Sequence, residues 1–248
     1  MRSHSLRFAC VGVLVAGACS SGHSSVATGG PSRTAGSGPP TGSGSPAPPT
    51  GTTGALTPSP TAGTPKDQAL VERIAVTTSQ LGSGVTRRTP PGGDTVTHQV
   101  TLDLCGADFP SEGLRTARLQ VIYSRAGAGF GSNEVVTYRN GGTAQAAAEV
   151  AHAVATCPHH RVASKVAGTP LLTYTFTRLA SRAPWPAGTQ AYDSTATDGK
   201  TTEHVIAIFM WHGPVFSGVY GSADPHGQPT SDVLRLAAQA AKNLTAAR

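Results

Sequence analysis

SNEVVTYRNGGTAQAAAEVAHAVATCP, residues Ser132 to Pro158, contains a strand, a turn, a helix and a covalent anchor in one run. Asn133 to Arg139 centres on Val135, Val136, Thr137 and Tyr138, β-branched and aromatic residues that favour a strand. Gly141-Gly142 supplies a tight reversal. Thr143 to Thr156 then holds seven alanines, the residue with the lowest cost of entering a helix. At helical spacing Ala147, Val150, Ala151 and Val154 share one face, and small side chains there let a helix approach a sheet closely. Pro158 ends the helix because it has no N–H to donate. Cys157 stands at the helix foot, and Cys105 lies upstream in TLDLCG.

Outward from this stretch, the chain divides by composition. Arg2 and Arg7 precede a short apolar run, Phe8 to Ala18, which is too short to cross a bilayer and has the layout of an export signal. The run ends VAGAC at Cys19, which resembles the lipobox of bacterial lipoproteins, with Ala16 where Leu is usual. That resemblance implies cleavage before Cys19, a diacylglycerol thioether on its sulfur and a palmitate-type acyl anchor. The alternative is an ordinary signal cut near Ala18. Residues 20–65 are almost wholly Gly, Ser, Thr, Pro and Ala. They have nothing to bury and so cannot offset the entropy of ordering, which predicts a disordered tether. The expected organisation is therefore a signal peptide at 1–18, a lipidated cysteine and linker at 19–65, and one folded domain at 66–248.

All 13 acidic residues fall in that last part, with all but Arg2, Arg7 and Arg33 of the 19 Lys and Arg. The domain is thus only slightly basic, and its cations are scattered, whereas a nucleic-acid surface needs them clustered. Export favours a bond between Cys105 and Cys157 over two buried thiols. No CxxC or HExxH spacing is present, and His159-His160 with His152 is a poor ligand set. Neither a metal nor a cofactor is expected, and no catalytic constellation stands out. Ser217 in VFSGV lacks the leading glycine of a nucleophile elbow.

The remaining periodicities predict a helix over Lys66 to Leu81 and strands over Thr97 to Leu104 and Ala117 to Arg125. A short helical turn at Pro110 to Glu112, capped by Ser111, and a flexible connection at Gly127 to Gly131 flank the second of these strands. Later strands are expected at Leu171 to Leu179, Thr189 to Thr195, Glu203 to Trp211 and Val215 to Tyr220. A final helix capped by Ser231 carries Val233, Leu234, Ala237, Ala241 and Leu244 inward. Glu203 to Trp211 is apolar on both faces, as a covered strand is. The fold class is α+β: a mainly antiparallel sheet of about six to seven strands, three packed helices and one disulfide.

Taken together, TLDLCG, PSEGLRTAR, SNEVVTYRNGG with its alanine helix ending in CP, and SGVYG near the C-terminus resemble the PknH-like extracellular sensor domain. That family occurs on mycobacterial kinases and, without a kinase, in actinobacterial lipoproteins. The resemblance implies a mixed domain with a cleft for an unidentified small molecule or cell-envelope component, held on the outer face of the cell membrane. Better-known members carry two disulfides, and the expected domain at 66–248 has cysteines for one. Charged and aromatic residues near Cys105 supply the candidate cleft: Arg115, Arg118, Tyr123, Glu134, Tyr138 and Arg139. Strand parity lets Arg118 and Glu134 share a face, where an Arg fork could orient a carboxylate or phosphate. They could equally be a structural ion pair. Two other functions compete with the sensor reading: a wall-modifying hydrolase, and a protein-interaction scaffold without a small-molecule pocket.

Overall fold

The computed structural model describes residues 64–165, 170–224 and 226–247. Cys19, the expected signal and the tether up to residue 63 lie outside them. The elements in order are α1 (Pro65–Ile74), α2 (Thr78–Leu81), β1 (Val85–Arg88), a 3-10 turn (Pro110–Leu114), β2 (Arg115–Arg125), β3 (Ala128–Tyr138), α3 (Gly142–Ala155), β4 (Thr173–Arg178), β5 (Gln190–Thr197), β6 (Thr202–His212), β7 (Val215–Ser222) and α4 (Ser231–Ala246).

Seven strands form one sheet in the order β1-β2-β3-β7-β6-β5-β4, and every pairing is antiparallel. With three helices of ten or more residues and the disulfide, this is the expected α+β class. No helix among the described residues is long and apolar enough to cross a membrane.

The sheet separates two cores. On one face α1, α2 and α4 cover Leu119, Val121, Tyr123, Val135, Ile206, Ile208, Met210 and Val219. On the other, α3 and residues 102–109 cover Val136, Tyr138, Ala207, Phe209, Phe216 and Tyr220. Helices on both faces are why β6 is apolar at successive positions: Ile206 to Met210 are all buried. Cys105 and Cys157 are bonded, with Cα atoms 5.4 Å apart across 52 residues of sequence. Closing such a loop stabilises by about 4 kcal/mol in the chain-entropy account. The bond ties the foot of α3 to the segment that packs beneath it.

Several local expectations are corrected. The first helix is two: Ala75 to Thr77 leave the helical path because buried partners claim their backbone. Val76 N–H donates to Asn133 Oδ1 at 3.3 Å, and Val76 C=O accepts from the Tyr123 hydroxyl at 2.6 Å. Thr77 and Gln80 form a capping box that restarts the helix.

Thr97 to Leu104 is not a strand. Its amides at Thr101 and Leu102 donate to the Glu112 carboxylate, and its carbonyl at Gln99 accepts from Arg115. The ladder position at the sheet edge belongs instead to β1, which lies between the expected helix and that expected strand. Residues 127–131 are mostly strand, since the β2–β3 hairpin turns within Ala126 (φ 49°) and Gly127 (φ 79°). Two consecutive positive φ values mark the tight turn whose twist matches its strands.

Ser111 caps nothing; Phe109 occupies the N-cap, and Ser111 binds Glu149. At α4 the cap is Thr230, whose hydroxyl accepts from Val233 N–H, and Ser231 is the first helical residue. The inward face of α4 includes Leu236 and Ala240, whereas Leu234 is half-buried.

Candidate functional site

The six candidate cleft residues separate into a buried charge network, an apolar contact and a turn. Residues 118 and 134 are one strand apart in the β2–β3 ladder and point to the α3 face. There Arg118 Nε donates to Glu134 Oε1, Nη1 to Gly92 C=O and Nη2 to Gln120 Oε1. Glu134 also accepts from Thr101 Oγ1 at 2.9 Å, and that hydroxyl accepts from Arg115 Nη1 at 2.8 Å. Arg115 completes its fork on Glu112 (3.2 Å) and the carbonyls of Gln99 and Val96.

The side chains of Arg118 and Glu134 are 0% and 3% exposed, so the pair faces protein on all sides. The network fastens residues 92–102, which lack a ladder, to the sheet. Burial pushes the Glu112 carboxyl up to about 7, against the pull of Arg115 and the Thr101 and Leu102 amides; the Glu134 charge adds to the rise.

Tyr138 lies in the same centre. Its hydroxyl has no partner among the described residues, and burial, then the Glu112 charge, holds its pKa well above the ordinary value. Tyr123 is on the opposite face of the sheet, bonded to Val76. Arg139 lies past the end of β3, and its guanidinium donates to Gly113 C=O. Asp103 and Asp108 turn away to Ser164 and Lys165. Structure therefore joins Arg115, Arg118, Glu134 and Tyr138 and leaves Tyr123 and Arg139 apart.

The open concavity lies elsewhere, along α3. Gly141 takes φ 74°, and a Cβ on Gly142 would come within 2.9 Å of Leu114 Cβ and 3.0 Å of Tyr138 Cδ1, so the helix starts close against the sheet. Its buried side is Thr143, Ala146, Val150 and Ala153, turned part of the way round from the expected face. Glu149 causes this by accepting from Ser111 N–H and Oγ–H, while Leu102, Leu104 and Phe109 pack beneath. Ala151 is left exposed, and Ala147 and Val154 half-buried, on the side of the helix that borders the grooves.

Two adjoining grooves run there and meet at Gly188. One, of about 490 Å³, is lined by Ala151, Val154, Ala155, Phe176, Arg178, Gln190 and Tyr192. The other, of about 310 Å³, is lined by Thr143, Ala144, Ala147, Trp211 and His212. None of the six candidate residues lines either one.

The aromatic floor is Phe176, Tyr192 and Trp211, and with the buried Tyr174, Phe209 and Phe216 these rings form a run in contact across four strands, with centroid separations from 4.7 to 6.4 Å. Gln190 and Tyr192 are committed to partners, whereas Trp211 Nε1 and the buried Tyr174 hydroxyl have none among the described residues. Gln190 Nε2 donates to Ala147 C=O at 2.8 Å, and Gln190 Oε1 accepts from the Tyr192 hydroxyl at 3.2 Å. Burial raises the Tyr192 pKa, and the neighbouring Arg178 charge opposes the rise.

The sequence signal for the groove is the phase of aromatics in LLTYTFTRL and EHVIAIFMW, which puts Tyr174, Phe176, Phe209 and Trp211 on one face. The position of α3 above that face depends on Glu149 and Ser111, 38 residues apart, which no local pattern reveals. Among the described residues, no three His, Cys, Asp or Glu gather where a metal ion could be held. No protein-family model matches this chain, and no curated protein matches it.

Proposed function

We propose that the chain is an exported module tethered to the outer face of the membrane through lipid on Cys19, and that its folded domain captures a ligand in the groove along α3. The observation that carries this reading is the groove itself: an aromatic floor and a small-residue wall, the composition expected of a small-molecule site. The motifs shared with the PknH-like sensor domain support the same reading, as does a composition-defined tether of about 45 residues following the cysteine.

The groove linings carry no carboxylate, which favours binding over glycoside hydrolysis, where two carboxyl groups flank the bond. A scaffold would offer an apolar patch; among large hydrophobics of the described residues, Leu171 alone is strongly exposed, at 55%.

Native mass spectrometry of protein purified from its own host tests the assignment. The wild type is expected to retain a small molecule that Ala151→Trp, which fills the groove from an exposed helix position, does not. Equal retention by both proteins, or none by either, would reject the groove as the site.

A further inference from the structure

The groove's chemistry is lopsided. Its wall is methyl groups, its floor is aromatic carbon, and Gln190 and Tyr192 have spent their main hydrogen bonds on α3 and on each other. Arg178 is the one Lys or Arg of the linings, whose other available polar groups, Thr143, Trp211 Nε1 and His212, sit in the smaller groove. It ends β4 opposite Tyr192 in the ladder, is exposed, lines the larger groove, and makes no hydrogen bond or ion pair among the described residues.

From this geometry we infer that the groove takes a long-chain aliphatic carboxylate, its chain over the aromatic floor and its head on the Arg178 guanidinium. The inference rests on the groove being the binding site.

The dimensions agree. Ala144 to Ala155 of α3 spans about 16 Å at 1.5 Å per residue, room for an extended chain that runs from Arg178 past Gly188 to Trp211. A methyl and aromatic lining gains from covering aliphatic carbon, at roughly 25 cal/mol per Å². The free polar groups Thr143, Trp211 Nε1 and His212 lie in the smaller groove, so a glycan's hydroxyls over the Phe176 and Tyr192 rings would go unpaired at a cost. A guanidinium fork holds a carboxylate by two parallel hydrogen bonds, which are stronger than those between neutral groups.

The test is titration of the full-length protein with cis-parinaric acid, a fluorescent long-chain carboxylate, and with its methyl ester. The wild type is expected to bind the acid saturably and the ester at least about tenfold more weakly. Arg178→Gln should weaken the acid by about the same factor and leave the ester unchanged; Arg178→Lys, which keeps the charge and loses the fork, should fall between the two. Arg178 is exposed and unpaired, so equal melting temperatures of the three proteins would exclude a folding effect.

Absence of saturable binding, equal affinity for acid and ester, or indifference to Arg178→Gln would overturn the ligand class. Host-purified protein that retains a glycan, a peptide or its own residues 20–65 in the groove would overturn it too, while leaving the groove as the site. Retention of nothing would remove both.

Discussion

At the scale of single residues, Arg118 and Glu134 illustrate how a charged pair can be readable in sequence and still mislead about role. Parity alone placed them on one face. What it could not supply was the cover: residues 92–102 close over the pair because Glu112 and Arg115 bind backbone that has no ladder partner. A buried pair stripped of one member leaves an uncompensated charge. Arg118→Ala should therefore destabilise by about 3–5 kcal/mol in urea unfolding, and Arg118→Met with Glu134→Leu should recover part of the loss. Unchanged stability with lost ligand capture would reverse the assignment.

Glu112 adds a pH dependence. Its folded pKa of about 7 lies above the ordinary 4.5, so between those values the folded state binds more protons than the unfolded state. Its contribution then falls as pH rises from about 4.5 to 7. Relative to Glu112→Gln, whose amide stays neutral, the wild type should lose stability across that window; parallel profiles would contradict the burial argument.

At the scale of elements, periodicity identified every long helix and most strands, because burial on one face imposes it. Boundaries failed where a side chain from far away captured the backbone. Asn133 and Tyr123 break the stripe from Leu70 to Leu81 at Val76, and Glu112 dissolves the alternation of Thr101 to Leu104. Neither partner is local, so neither break is visible in a window. The cap of α4 is the converse case, a one-residue error between two hydroxyl residues. Thr230→Ala should cost about 1 kcal/mol of stability, and Ser231→Ala a few tenths at most, as read by the urea midpoint. The reverse order would restore Ser231 as the cap.

The Cys105–Cys157 bond agrees with the pairing expected from the sequence. Cys105→Ser with Cys157→Ser should lower stability by about 2–5 kcal/mol. A drop below about 1 kcal/mol would mean that packing of Leu102, Leu104 and Phe109 under α3 suffices without it.

Across the whole molecule, the antiparallel sheet with helices on both faces was legible, since β6 reads as apolar on both sides. The groove was only half legible. Its floor follows from the phase of the aromatics on β4 and β6, but its existence depends on α3 being drawn toward Ser111 and away from β4 and β5. The expected burial of Ala151 became exposure and that of Val154 is partial, and the opening beside them is the feature on which the functional reading stands.

The most direct test is a crystal structure of the protein purified from its own host. The account predicts additional density along Phe176, Tyr192 and Trp211, ending at Arg178. Density seated on the Arg118–Glu134 network, or on the α1–α4 face with the groove empty, would contradict it.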